Sequence, residues 1–594
     1  MEKNNDFIGK ILHFIFAKEN LYLMLFILIL LLSIILRFLA VNNAAPVGDE
    51  MVHGTHAINI LGYKPLSTLV ESPVWFYITD IGHEIFGITS FGSRVTSFFY
   101  GIGIIFLTFI IGSRVFNKKS ALIASFLVAV SGFAMRYSAI AMDMSMMFFA
   151  MLSTYFLIDC MQKRQKISLL SALFLGIAVL NKMIAVFFGP AFAVYVIYMW
   201  KKSENKKSFV KNNTKQFIYW ILIFLIIIFP IFAHNYLLYQ EKGLVTEVMA
   251  QYFGINKTYY LGPLGHDQGA SLQFLLPSLK SNLGAFWTMD PLLLIFFALG
   301  LIITFKAKDE ILLLGSMILF YSFFMSISSG LGTHYTEWIP LFALFAAQGI
   351  IFTVNEVQKH VSSKQILTII LLIIALSTIY ASWGFLSSRS AVWSLRDYAI
   401  DNIGPEDLVI VDSRIYEGRI AWMFNDKHYI GSQYAGQLLN SLDEFTGQTS
   451  SVRVHIIECD ADDCGWGTVG SGPLNDSSEN FFNQIKEAVP AIAKINGGGD
   501  GYNEVINQPY FTVYEANLPF KRSMFQLVDS THKFFYYPVR FEPKEEVYDY
   551  IGPQKGLNNL ISKFGYLSLW TSIMVALFSL LLVVHMTYKE LTKQ

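Results

Sequence analysis

The 594-residue chain is 54% hydrophobic and 15% charged, where soluble domains run about 45–50% apolar and about 25% charged. Its 44 Lys/Arg balance 44 Asp/Glu, which disfavours nucleic acid as a partner. Gly 41, Pro 17 and Cys 3 also exclude collagen-like, disordered and disulfide-scaffold classes. A polytopic membrane protein remains, either an enzyme or a transporter.

Apolar runs of about 17–25 residues mark membrane-spanning helices, because each span must satisfy its own backbone polar groups. They fall at about 21–40, 95–113, 120–138, 144–160, 168–181, 183–200, 217–233, 291–305, 311–329, 338–355, 366–387 and 564–587, about twelve in all. The first is too long and too weakly flanked for a cleaved signal peptide, and reads as an anchor. Alternate loops carry 21 Lys/Arg, among them Arg114, Lys163, Lys202 and Lys306, against six in the opposite short loops. The positive-inside rule then puts both termini in the cytoplasm, and loops 41–94 and 234–290 and region 389–555 outside.

Taken along the chain, a few polar residues interrupt the apolar pattern. Asp49 and Glu50 follow the first span directly, beyond Pro46 and Gly48. Carboxylates at a bilayer boundary are costly and tend to be functional, although solvated acids at a helix N-terminus give the same pattern. His53 and His56 share a face with Asp49 if the segment is helical, a candidate metal set against the commoner surface histidines. Arg136 and Asp143 bracket the short third-to-fourth junction, paired with each other or facing the same cavity as Asp49. Asn181 and Lys182 break the run GIAVLNKMIAVFFGP; such a lysine snorkels to the interface or meets a lipid phosphate. Loop 234–290 contains Tyr252, Tyr259, Tyr260, Gly262, Gly265, His266 and Asp267, and reads either as a closing loop or as an ordinary connection.

Residues 389–555 lose the long apolar runs. LVIVD (Leu408 to Asp412) and VRVHIIE (Val452 to Glu458) read as strands and FFNQIKEAVPAIAKI as helix, so a small α/β domain is expected. Residues 389–554 hold 13 Lys/Arg against 24 Asp/Glu, a net of −11. Cys459 and Cys464 suit a local disulfide better than zinc, whose usual spacings they do not match. The glycine run 497–501 reads as a loop, and sequons at Asn256 and Asn475 face outside. The expected division is a transmembrane catalytic domain over 1–388, an extracytoplasmic α/β domain over 389–555, and a last helix with a cytoplasmic tail over 556–594.

The ordered segments RF…P…GDE, ESPVWFYITDIGHEIFG, SRVTSFFYG, VFNKKSALIASFLVAVSGFAMRYSAIAMD and GIAVLNK resemble the glycosyltransferase family 39 and aminoarabinose-transferase superfamily. The match is dense over about residues 30–190. Further on, HYTEWIPLFALFAA resembles a segment that ordinarily starts R-Y-x-x-P, with His334 in the basic position. The resemblance implies a GT-C fold and a polyprenyl-phosphate sugar donor used on the extracytoplasmic face. It implies a protein, glycan or lipid acceptor, and leans towards no metal. The tail domain departs from the mannosyltransferase plan, and the oligosaccharyltransferase signature W-W-D-Y-G is absent.

Sugar transfer from a lipid phosphate needs a carboxylate to take the acceptor proton and cations to hold the departing phosphate. Asp49 is the expected base, supported by Glu50, with Asp143 holding acceptor or sugar hydroxyls. Arg136 is expected to orient Asp143 or meet phosphate. Lys182 is the preferred phosphate contact, followed by Arg94, Arg37 and His334. No cofactor is required by these motifs; a divalent metal on His53 and His56 is the one candidate. The rival from another class is a transporter or lipid-linked sugar flippase.

Overall fold

A computed structural model describes residues 21–46, 50–62, 73–137, 142–243, 245–246, 249, 271–305, 309–328, 332–358, 362–415, 417–440, 442–460, 476–496, 509–530, 534–535, 540–542 and 552–592. The protein is a helical membrane bundle that carries a small α/β domain. Its helices are α1 (Leu21–Asn43), α2 (Glu50–Ala57), α3 (Pro73–Phe86), α4 (Ser90–Val115), α5 (Lys118–Val130), α6 (Gly132–Tyr137), α7 (Asp143–Arg164) and α8 (Leu169–Asn181). There follow α9 (Gly189–Lys202), α10 (Lys206–Lys242), α11 (Leu275–Met289), α12 (Pro291–Thr304), α13 (Asp309–Ile327), α14 (Trp338–Val357) and α15 (Ser363–Ala381).

The described residues of all twelve expected runs fall on helices or their ends, but fewer cross by length. Among the described residues nine helices are long and apolar enough, or ten when the pair Leu272–Met289 and Pro291–Thr304, bent by 116°, counts as one. The run at 120–138 is divided at Ser131 into α5 and α6, and α8 has only 13 residues, about 20 Å of helix against about 30 Å of hydrocarbon. Two buried charges hold the division at Ser131. Arg37 donates from Nη2 to Val128 O (3.0 Å) and from Nη1 to Ala129 O (3.3 Å), closing the end of α5. Asp290 accepts from Gly132 N (3.0 Å), Phe133 N (2.9 Å) and Ser131 Oγ (2.7 Å), opening α6. Free backbone groups at helix ends need such partners, most of all away from water. Where α12 crosses α14, a Cβ on Gly300 would sit 1.8 Å from Phe345 O, so only glycine fits.

Between α15 and the last helix, α16 (Ala391–Asn402), α17 (Glu417–Met423), α18 (Ser432–Asn440), α19 (Asp476–Ala488) and α20 (Arg522–Ser530) surround a five-stranded sheet. Strands β1 (Leu408–Val411), β2 (His428–Gly431), β3 (Thr449–Cys459), β4 (Ala491–Asn496) and β5 (Pro509–Lys521) run in the order β2-β1-β3-β5-β4. β1 is parallel to β2 and β3, whereas β5 is antiparallel to β3 and β4. The expected helix over FFNQIKEAVPAIAKI is corrected: α19 ends at Ala488 and β4 begins at Ala491. Pro490 stops the helix, and Ala-Ile-Ala-Lys-Ile alternates with the period of a strand. Cys459 is disulfide-bonded and Cys160 is free; Cys464, Asn475 and the glycine run lie outside the described residues. So do Asn256 and the named residues of the Tyr-rich loop.

The chain returns to the bundle in α21 (Gly556–Thr592), which packs along α10; both have 37 residues. Ser568 Oγ donates to Ile226 O (2.6 Å), and Glu241 on α10 accepts from Gly552 N (3.0 Å) just ahead of α21.

Candidate active site

The helix ends form two rims with different charge chemistry. On one, Arg114 pairs with Asp159 (2.7 Å), Lys163 with Asp159 (2.8 Å), and Lys202 with Asp309 (2.5 Å), all partly exposed. On the other, the charges are buried and come from segments far apart in sequence.

Asp143 opens α7, and Lys182 follows α8 with extended backbone (φ −162°, ψ 123°), so its side chain leaves the helix stack. Lys182 Nζ donates to Asp143 Oδ1 and Oδ2, each at 2.9 Å. His334, in the turn Gly332–Tyr335 before α14, places Nδ1 at 2.9 Å from Lys182 Nζ and 3.3 Å from Asp143 Oδ1. Asp143 and Lys182 side chains are 3% and 9% exposed, His334 29%. The group is thus a buried ion pair with one accessible imidazole. Its partners correct the expectation that Arg136 orients Asp143. Arg136 instead donates from Nη1 to Ala45 O (2.8 Å), with its guanidinium 5.8 Å from the Phe385 ring centre.

The His53 ring on α2 faces this group. Burial, then the Lys182 charge, push its imidazole down to about 3, with Asp143 opposing, so it is neutral near pH 7. The rings of His53 and His56 lie 6.3 Å apart, each about 6 Å from Phe76. Among the described residues no three His, Cys, Asp or Glu gather as a metal site. Asp49, which shares their expected face, lies outside the described residues, and no step below runs through a metal.

Glu50 and Arg94 are placed against each other. Arg94, at the start of α4, is 1% exposed and pairs with Glu50 through Nε and through Nη2 (2.8 Å). Its Nη1 donates to Val41 O and Ala44 O, both at 2.8 Å, and Nη2 also to Ala45 O (3.3 Å). Those contacts engage all five guanidinium donors, so none is left for phosphate, and Glu50 is the counter-ion of this clamp. Arg37 likewise closes a helix. Asp49 lies outside the described residues.

Glu337 was not singled out by sequence. It is fully buried, accepts from Ser322 Oγ at 3.4 Å through Oε1, and among the described residues has no hydrogen-bond partner on Oε2. Its signal was available, an acid three residues after His334 just before an apolar run. Trp393 and Trp422 of the α/β domain, which touch the rim, carry no such signal.

Residues 70–234 match the family of dolichyl-phosphate-mannose-protein mannosyltransferases. That stretch contains Arg94, Arg136, Asp143 and Lys182; it begins after Asp49 and Glu50 and reaches beyond the dense motif region into α10. A putative mannosyltransferase, YkcB of Bacillus subtilis (strain 168), is 29% identical over 143 residues, 24% of this chain and 20% of that protein. ArnT from Cupriavidus metallidurans superposes with a TM-score of 0.51 in its structure bound to undecaprenyl phosphate and 0.52 in its apo state. Both comparisons give 12% identity and cover 84% of this chain and 98% of ArnT. The chain is a polytopic helical membrane protein with the GT-C fold of integral membrane glycosyltransferases.

Proposed function

We propose that the protein transfers a sugar from a polyprenyl-phosphate donor to a protein, glycan or lipid acceptor on the extracytoplasmic face of the plasma membrane. The observation that carries the reading is the convergence of Asp143, Lys182 and His334, from three separate segments, at one rim of a fold shared with ArnT. The match to the mannosyltransferase family and the undecaprenyl phosphate bound by that ArnT support a lipid-phosphate donor.

In this reading the donor phosphate approaches from His334, the accessible member, and Lys182 turns from Asp143 to the phosphate. Cationic donors that meet a leaving group's growing charge lower the barrier without moving far. Asp143, released from Lys182, accepts from sugar or acceptor hydroxyls, and Arg136 borders the same space. Asp49 takes the acceptor proton as general base. The C1–oxygen bond to phosphate breaks as the acceptor oxygen or nitrogen bonds to C1 from the opposite face, inverting the anomeric centre. A covalent glycosyl-enzyme trapped in denatured protein would refute that stereochemistry.

Sidedness is supported by the rims. Arg114, Lys163 and Lys202 belong to the lysine-rich loops that the positive-inside rule assigns to the cytoplasm, while the α/β domain contacts the rim of Asp143. Both termini are then cytoplasmic. The test is Asp49→Asn in the full chain, supplied with dolichyl-phosphate mannose and an extract of a deletion strain as acceptor source. Turnover should be lost while donor binding persists; full turnover would overturn the assignment of the base.

A further inference from the structure

The α/β domain is joined to the rim by more than its covalent links. Ser390 N donates to Asn43 O (2.9 Å), Arg389 Nη1 to Asn42 O (2.5 Å), and Trp422 Nε1 on α17 to Ser93 Oγ (3.1 Å). A Cβ on Gly54 of α2 would meet the Trp422 ring at 3.1 Å. Met51 on α2 and Ile58 just after it are buried in one apolar core with Val409, Val411, Ile457 and Phe511 of the sheet. The helix that begins at Glu50 is therefore packed as part of the α/β domain.

Trp393 of α16 stands at the centre of this contact. It is 1% exposed, its Nε1 donates to Ala44 O (2.6 Å), and the Arg94 guanidinium lies 4.4 Å from its ring centre. Arg94 in turn holds Ala44 O and Ala45 O on one side and the Glu50 carboxylate on the other. Ala45 O also receives Arg136 Nη1, from the helix that leads towards Asp143. The chain positions flanking 46–49 are thus tied to one guanidinium, and that guanidinium is stacked on an indole from the α/β domain.

We infer that Trp393 is a positioning residue for sugar transfer: through its bond to Ala44 O and its stack on Arg94, the α/β domain fixes Ala44, Ala45 and Glu50, and with Ala45 O the Arg136 that borders the Asp143 site. The inference rests on the transferase reading above. A cation stacked on a desolvated indole loses both electrostatic attraction and packing when the ring is removed. A group at the reacting centre displaced by about 1 Å can cost as much as 100-fold in rate. Donor affinity, which the reading assigns to Lys182 and His334, should be unaffected.

The experiment compares wild type, Trp393→Phe and Trp393→His, each as the full chain in detergent-solubilised membranes and normalised to monodisperse protein. Dolichyl-phosphate mannose is the probe, with deletion-strain extract as acceptor source. Trp393→Phe keeps a ring and loses the N–H; it should lower kcat by about 10-fold while KM for the donor stays nearly constant. Trp393→His, which retains a ring N–H, should recover part of that loss. Unchanged kcat in folded Trp393→Phe overturns the inference, and so does a loss that appears in KM alone. If neither variant yields folded protein, Trp393 belongs to folding only and the inference is again overturned. Absence of turnover in wild type overturns the transferase reading first and this inference with it, so the two failures are told apart.

Discussion

Two groups of buried charge stand on the same rim, and they differ in how completely they are satisfied. Arg94 has every donor engaged, by Glu50 and three carbonyls, and is roofed by Trp393. Lys182 is shared between Asp143 and His334, and His334 reaches solvent. The first group is closed and orders the chain around it. The second has one member, His334, open to a ligand.

Four changes would break or sharpen that contrast. The largest effect belongs to Asp143→Asn, which should lower turnover by about 100-fold or more, the range of a positioned carboxylate. Near-normal release of dolichyl phosphate from dolichyl-phosphate mannose would show that the open group does no chemistry. Next is Arg94→Met, expected to cost about 3–5 kcal/mol by leaving Glu50 buried without its partner. Thermal unfolding in detergent should show this. Third, adding Glu50→Leu to Arg94→Met should recover the share due to the stranded carboxylate. A double variant no more stable than the single would mean that the three carbonyl contacts dominate.

The smallest effect is that of pH at His53. Its folded pKa of about 3 lies below the ordinary value of about 6.5. The unfolded chain therefore binds more protons between these values, and stability falls as pH drops through that window. His53→Phe should flatten the change in thermal midpoint between pH 7 and pH 5. An unaltered slope would place His53 in water.

The helical class was readable because a bilayer forces long apolar runs, and the described residues of all twelve fall on helices or their ends. Their crossing was less readable: Ser131 interrupts one run, and the partners that permit it, Arg37 and Asp290, are 94 and 159 residues away. Within the site, Asp143, Lys182 and Arg136 stood out as charges among apolar neighbours, yet their pairing did not. Sequence proximity favoured Arg136 for Asp143, whereas extended backbone at Lys182 and the turn at His334 supply the true partners. Arg94 and Glu50 also stood out as charges, but the sequence did not show that they pair with each other, as burial without solvent demands. Trp393 was silent because an indole in an amphipathic helix ordinarily reads as core.

The two 37-residue helices, α10 and α21, are each about 55 Å long, nearly twice the hydrocarbon thickness. They lie side by side, and the α/β domain hands the chain back beside the tip of α10 through Gly552 and Glu241. Together they act as a ruler that sets how far the domain stands from the lipid surface. A thinner or thicker bilayer would tilt the ruler at modest energetic cost.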